Sequence, residues 1–339
     1  MATPLLICDD SLVARKQMLR ALPPDWDVVV SFASDGEECL HRLEQGDGDI
    51  LILDLNMPNL DGYAVLQAIK ERQASTIVIV VSGDIQPEAE RRVLALGAMR
   101  MMTKPVDPAA LRLMLMEFGL YHPSETNRLT LNARDIIPGT TWQEVLQEQS
   151  NIAMGQAGDL LARLLGVFVE LSVPRVDELS AGELSMALAA GSQEHTWSGV
   201  CQGFIGGGLA GEVLLLFADS SIDDMSRLLG YTNEETDHRE LEVLMDLSGI
   251  LAGAFLKGLG EQLNLSPRIT TPVVLGTHVT ADNLMQRSHT RGPTLTIEVS
   301  FAIEGYSIVG NLLLLFTEDS LPRLKEILEY LRPEVEEAV

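Results

Sequence analysis

Apolar residues in the first 120 positions gather in short runs that end abruptly on polar ones. Pro4–Cys8 stops at Asp9-Asp10, Ile50–Leu53 at Asp54, and Ile77–Val81 at Ser82. Val28–Phe32 and Met99–Thr103 complete the set, the last running into Lys104-Pro105. Between these runs, Ser11–Leu22 and Gly62–Arg72 place apolar residues at helical spacing. Continuous apolar strands separated by amphipathic helices predict βαβ units and a parallel sheet covered on both faces. The expected fold class is therefore α/β, with a doubly wound five-stranded sheet in residues 1–118.

The pattern changes after that. Residues 119–141 are polar and turn-rich, which reads as a linker. The rest, 142–339, contains a repeat of itself. Gly211-Glu-Val-Leu-Leu-Leu-Phe217 matches Gly310-Asn-Leu-Leu-Leu-Leu-Phe316 at an offset of 99, and helical stretches Trp142–Leu165 and Glu240–Leu263 match at 98. One repetition at this period points to duplication inside a domain and not to a solenoid, which needs more copies to bury a core. The expectation is an internally duplicated α+β domain with pseudo-twofold symmetry, its halves 142–239 and 240–339. Gly206-Gly207-Gly208 lacks the Lys-Ser/Thr of a phosphate loop and precedes a strand, so it reads as a hairpin turn.

Charge narrows the function classes. The 339 residues carry 24 Lys+Arg against 49 Asp+Glu, a formal charge of -25 with no basic cluster, which disfavours nucleic acid and anionic lipid as partners. The continuous apolar runs are strand-length, too short to span a bilayer, and the N-terminus carries no export signal. Cys8, Cys39 and Cys201 are odd in number and show no metal-ligand spacing. A cytoplasmic protein without disulfides is expected.

In open parallel sheets, ligands bind beyond the carboxyl ends of the strands. There stand Asp9, Asp10, Asp54, Ser82 and Lys104. Three converging carboxylates repel one another unless a cation neutralises them, and oxygen-only ligands suit Mg²⁺. Such a cation shields an Asp54 carboxylate as it attacks a phosphoryl group. Lys104 and the Ser82 hydroxyl then hold the phosphoryl oxygens, leaving an aspartyl phosphate.

With those residues in place, positions 4 to about 118 resemble a two-component receiver domain of the chemotaxis CheY kind, and Asp54-Leu-Asn-Met-Pro-Asn-Leu-Asp61-Gly62 resembles its phosphorylation loop. The resemblance implies a flavodoxin-like fold, phosphorylation of Asp54 by an upstream histidine kinase, and Mg²⁺ held by Asp9, Asp10, Asp54 and the Asn56 backbone carbonyl. It also gives Ser82 and Lys104 the reading of the phosphate. Met101 stands where an aromatic switch residue is usual.

In the second half, Glu148 and Asn151 lie three apart and so share one face of a helix. Together with Gly155 and the duplicated Gly-x-x-x-Leu-Leu-Phe strands, they resemble the CheC/CheX/FliY phosphatase family over roughly 140–332, whose signature is Glu-x-x-Asn followed by a small residue. Glu144 stands where the fuller pattern has Asp or Ser. The resemblance implies that the aspartyl phosphate of a receiver is hydrolysed, with Asn151 orienting the water and Glu148 pairing with the receiver's Lys. In the second copy the equivalents are Asp246 and Gly249, which read as a degenerate site. A separate phosphorylated CheY-like receiver is the favoured target, because an enzyme that erased its own input at once makes a poor switch. A 23-residue linker, if flexible, reaches about 25–30 Å and also permits docking in cis. The alternative from another class is a catalytically silent, phosphorylation-gated binding module. Apolar strands with Gly-rich edges leave room for a homodimer without requiring one.

Overall fold

The computed structural model describes residues 2–124, 128–133, 135, 138–180, 182–183, 196–231, 236–280, 283–284 and 294–332. Two compact units divide the chain, residues 1–148 with Arg332, and Gln149–Leu331.

The first unit is a parallel sheet in the order β5-β4-β3-β1-β2-β6. Its strands are β1 (Thr3–Cys8), β2 (Val28–Ala33), β3 (Ile50–Leu53), β4 (Ile77–Ser82), β5 (Arg100–Thr103) and β6 (Thr130–Leu131). Helices α1 (Leu12–Ala21), α2 (Gly36–Glu44), α3 (Gly62–Glu71), α4 (Pro87–Leu96) and α5 (Pro108–Glu117) alternate with the first five. The unbroken apolar runs have a physical reason. Leu5 and Ile7 of β1 enter one core with Trp26, Leu111 and Tyr121, while Leu6 and Cys8 enter a second with Leu53, Val65 and Val80. With both faces buried, alternation is lost. Ser11, Asp35, Asp61 and Asp107 each accept a backbone N–H at the start of a helix, which satisfies donors the helix cannot pair itself.

The apolar runs predict five strands, and six are present. Thr130–Leu131, inside the segment read as linker, pairs with Val29 and Val30 of β2. Leu129 and Leu131 pack on the core, the Trp26 indole N–H donates to the Leu120 carbonyl at 2.9 Å, and the Tyr121 hydroxyl donates to Asp25 at 2.6 Å. A two-residue strand in a polar context carries no periodic signal, so it is invisible until its partner is in place.

The second unit is an antiparallel sheet in the order β11-β9-β10-β14-β13-β7, where β11 is Arg268–Ile269 and β7 is Val169–Leu171, with β12 (Val273–Val279) on β9 and β8 (Arg175–Leu179) on β13. The repeat is visible as two copies of one unit. In the first, β9 (Trp197–Gly206) and β10 (Leu209–Ala218) lead through the turn Asp219–Ser221 into helix Ile222–Leu228. The second runs β13 (Thr294–Ile303), β14 (Ile308–Phe316), the turn Glu318–Ser320 and helix Leu321–Leu331. The central strands pair so that Gly211 faces Phe316, Leu214 faces Leu313 and Phe217 faces Gly310. Leu214 and Leu313 are themselves repeat equivalents, so the pseudo-twofold passes through that pair. Phe204 packs edge-to-face on Phe316 at 5.8 Å between centroids, and Phe301 on Phe217 at 5.9 Å. Gly207 and Gly208 both take positive φ in the tight turn between β9 and β10, as the triple-glycine reading requires.

Helix Thr236–Gln262 contains, from Glu240 to Gln262, a stretch long and apolar enough to cross a membrane by length and composition. Two-thirds of the most apolar window is buried, and Leu244, Leu247, Leu251, Phe255 and Leu259 lie inside the unit. That is the signature of a core helix.

Candidate functional site

Strand ends of the first unit bring the predicted residues together. Asp9 follows β1 and donates its N–H to the Ala33 carbonyl at 3.1 Å, while its Oδ1 accepts from Ser11 N at 2.9 Å. Asp54 follows β3. Its N–H bonds the Cys8 carbonyl at 2.9 Å and its Oδ1 accepts from Leu55 N at 2.8 Å. That locks the carboxylate plane and leaves Oδ2 without a hydrogen bond. Ser82 ends β4 fully buried, and its carbonyl accepts from Lys104 N at 2.9 Å across the gap to β5. Lys104 then reaches inward, with Nζ 2.6 Å from Asp9 Oδ2 and 3.1 Å from Asp54 Oδ2. Half-buried Asn56 lies two residues beyond Asp54. Met101 is half-buried and packs against the core that holds Cys8 and Leu53.

Two features of this pocket are visible only in three dimensions. Gly62 opens α3 beneath the site, where a Cβ would stand 2.2 Å from the Asp54 carbonyl oxygen, so the backbone approaches as only glycine allows. The second is the position of Glu148. Helix α6 (Trp142–Leu165) starts within the first unit, and there the Glu148 Oε1 lies 3.7 Å from Lys104 Nζ. Glu148 is 1% exposed, with the Ser11 hydroxyl and the Lys104 ammonium as the polar groups beside its carboxylate.

The electrostatics follow from crowding. Burial pushes the Asp10 carboxyl up to about 7, with the charge of Asp9 adding to it. Burial also raises Asp54 well above the ordinary carboxylate range, against the pull of Lys104 and with the push of Asp9 and Asp10. Glu148 is raised by burial, again opposed by Lys104. Burial works against the charge of Lys104, yet Asp54, Asp9 and Glu148 together hold it well above its usual value. Three carboxyls thus surround one ammonium, with Asp10 close to two of them, an arrangement that a further cation relieves.

The residues fit such a cation. Asp9, Asp10 and Asp54 each present a carboxylate oxygen, all within 4.8 Å of one another. The donors are hard oxygens, and buried Asp54 Oδ2 has only the ion pair with Lys104 among the described residues. This set can hold a divalent ion of the Mg²⁺ type.

Asn151 sits one turn beyond Glu148 on α6 and is 6% exposed, in a buried polar run with Gln149 and Ser150. Glu144, which departs from the Asp or Ser of the fuller pattern, is engaged at the start of the helix. Its carboxylate accepts from Thr141 N at 2.6 Å while its own N–H donates to the Thr141 hydroxyl at 3.2 Å. Thr-x-x-Glu at the start of a helix is a capping box, and that signal is present in the sequence. In the second copy, Asp246 is exposed and accepts from the Tyr231 hydroxyl at 2.6 Å, while Gly249 has open space where a side chain would stand.

Residues 5–116 match the response regulator receiver domain family. The chain is 29% identical over 174 residues to protein-glutamate methylesterase/protein-glutamine glutaminase 3 of Geobacter sulfurreducens, covering 50% of this chain and 45% of that one. A protein of the same name from Symbiobacterium thermophilum is 39% identical over 103 residues, 30% of this chain and 28% of the relative. The chain thus spans less than half the length of either. Among solved structures, FliY of Thermotoga maritima is matched over 57% of this chain and 99% of that chain, with 17% identity and a TM-score of 0.43. CheY4 of Vibrio cholerae is matched over 33% and 95%, with 27% identity and a TM-score of 0.29. The N-terminal domain is a receiver domain of a two-component response regulator.

Proposed function

We propose that the chain is a response regulator whose output region hydrolyses the aspartyl phosphate of a receiver, in chemotaxis or a related two-component pathway. Asp54 accepts the phosphoryl group from an upstream histidine kinase. Asp9, Asp10, Asp54 and the Asn56 carbonyl hold Mg²⁺, which supplies charge neutralisation for phosphoryl chemistry. Lys104 and Ser82 hold the phosphoryl oxygens.

In the hydrolysis, a water oxygen bonds to phosphorus as the bond from phosphorus to the aspartyl oxygen breaks. The carboxylate leaves with the electron pair, and the water's protons stay with the released phosphate and solvent. Such in-line displacement needs positioning above all. An Asn side chain offers an acceptor and two donors, enough to orient a water without acting as a base. Asn151 takes that role, and Glu148 docks on the receiver's ammonium. Asp246 and Gly249 lack the means to do either, so the second half serves as scaffold.

The observation that carries this reading is the burial of Glu148 and Asn151, one turn apart on α6. Polar side chains on a solvated helix face are the rule, and burying a carboxylate and an amide together is costly without a use. The test is loss of the phosphoryl group, followed both on the chain's own Asp54 and on an added phosphorylated CheY-like receiver. Asn151→Ala is expected to slow it by about 100-fold wherever Asn151 acts in the transition state. Equal rates for wild type and variant on both substrates refute the phosphatase and leave a binding module.

A further inference from the structure

We infer that the receiver served by Glu148 is the chain's own, so that the phosphoryl group on Asp54 is removed in cis. The inference rests on the phosphatase reading of α6 and names its substrate.

The ammonium of Lys104 is the group a docking carboxylate needs, and Glu148 already stands 3.7 Å from it. The same Nζ touches the phosphoacceptor, at 3.1 Å from Asp54 Oδ2. The Glu148 carboxylate is buried against the Lys104 ammonium and the Ser11 hydroxyl, both groups of the Asp54 pocket, and Asp9 and Asp54 add like charge there. A side chain with a purely structural role there is better apolar, since a buried carboxylate without full compensation destabilises its surroundings. A carboxylate held beside the phosphoacceptor's own lysine is explained by work on that phosphoacceptor.

Two consequences separate this from action on another molecule. Removal of the phosphoryl group becomes unimolecular, with a rate that does not depend on protein concentration. A foreign receiver must also displace Lys104 from Glu148 before it can dock, so added phosphorylated receiver is a poor substrate. The sequence favours a separate target because an enzyme that erases its own input is a poor latch. It makes a good timer, in which the chain sets the lifetime of its own signal.

The experiment uses the full chain, charged on Asp54 with labelled acetyl phosphate and freed of the donor. Wild type is expected to lose label with first-order kinetics, at one rate over a wide range of concentration, and Asn151→Ala about 100-fold more slowly. Labelled Asn151→Ala is then mixed with excess Asp54→Asn protein, which cannot be charged but keeps α6 intact. Slow decay that the excess does not speed up supports the cis assignment. Decay restored in proportion to the added Asp54→Asn protein overturns it while leaving the phosphatase in place. Identical decay of wild type and Asn151→Ala, alone and on an added CheY-like receiver, overturns both. Asn151→Ala places a strong helix former within a helix, so a folding defect is not the expected cause of slow decay, and circular dichroism of the variant checks it.

Discussion

Gly62→Ala is the sharpest perturbation of the Asp54 pocket that leaves every charged group in place. The added methyl would meet the Asp54 carbonyl oxygen at 2.2 Å, the Leu55 Cα at 2.8 Å and the Asp54 carbonyl carbon at 3.0 Å. All three are backbone atoms, so no rotamer change relieves them. The backbone must open by roughly 1 Å to restore ordinary contact. Gly62 N donates to the Leu55 carbonyl at 2.9 Å, and the Asp61 side chain caps α3 through Ala64 N at 2.8 Å. Overpacking costs about 1–3 kcal/mol and a weakened hydrogen bond about 1 more, against a gain of up to about 1 from helix propensity. The net expectation is a loss of about 1–3 kcal/mol, confined to the first unit. Two units need not unfold together, so the assay is amide hydrogen exchange of β1 and β3 in the full chain. Gly139→Ala is the control, because nothing lies within 4 Å of its Cβ and its φ is not positive, and it should change stability by under about 0.5 kcal/mol. Charging of Asp54 by acetyl phosphate should slow in Gly62→Ala only. Equal exchange protection in the two variants would refute the claim that close backbone approach at Gly62 holds the phosphoacceptor.

The second unit yields matched predictions. Gly211→Ala drives a methyl toward the Leu315 carbonyl oxygen at 2.1 Å and the Phe204 ring at 2.6 Å, and Gly310→Ala toward the Phe301 ring at 2.4 Å. Each should cost about 1–3 kcal/mol in thermal unfolding, and a harmless result at either would contradict the packing described. Leu214→Ala and Leu313→Ala, both fully buried and paired on the pseudo-axis, should each cost about 2–5 kcal/mol, with values well below that range speaking against a shared core. Within β12, His278 lies 3.0 Å from Asp219 and 3.3 Å from Glu240, and its pKa is raised by the hydrogen bond to Asp219 and the charges of both carboxylates. The protonated form therefore favours the fold, fully so below the ordinary histidine value of about 6.5, and the benefit disappears as pH rises through the raised folded value. His278 is 59% exposed, so the effect is small. His278→Gln should flatten the pH dependence of exchange in β12, and an unchanged profile would exclude the pairing.

What the chain reveals in advance is whatever its strands bury on two faces. The runs ending at Asp9, Asp54 and Ser82 are legible because a doubly covered parallel sheet leaves no room for polar residues until the strand stops, whereas the run before Lys104 lies on the half-exposed edge strand β5. The Glu148–Asn151 face follows from helical spacing alone. The sixth strand is not legible, since Thr130 and Leu131 become a strand only through pairing with Val29 and Val30. Nor is the place of Glu148. Lys104 and Glu148 are 44 positions apart, and no periodicity encodes a contact of that range. The departure at Glu144 has a local reason, since its carboxylate closes a capping box with Thr141.

The duplication explains why one half is expected to act and the other not. In the core, each half must supply the same parts, because the two copies meet across β10 and β14. Gly211 makes room for Phe204, and Gly310 for Phe301. Each ring then packs on a phenylalanine at the end of a central strand. Replacing a part on one side leaves its equivalent without a matching neighbour, so the packing holds both copies to one pattern. The helix faces are under no such coupling. Glu148 and Asn151 are buried, whereas Asp246 faces solvent on a Tyr231 hydroxyl and Gly249 carries nothing. Restoring the pair by Asp246→Glu with Gly249→Asn therefore costs the core nothing, since among the described residues no atom outside the helix's own backbone lies within 4 Å of a Cβ at Gly249. It should also gain helix stability of a few tenths of a kcal/mol from the lost glycine. Activity is not expected to follow in the same variant. The rebuilt pair would stand exposed, without the buried setting that Glu148 shares with Lys104. If the double substitution in an Asn151→Ala background restored hydrolysis of the Asp54 phosphate, an Asn and a Glu on a bare helix face would suffice, and burial of the pair would have no part in the reaction.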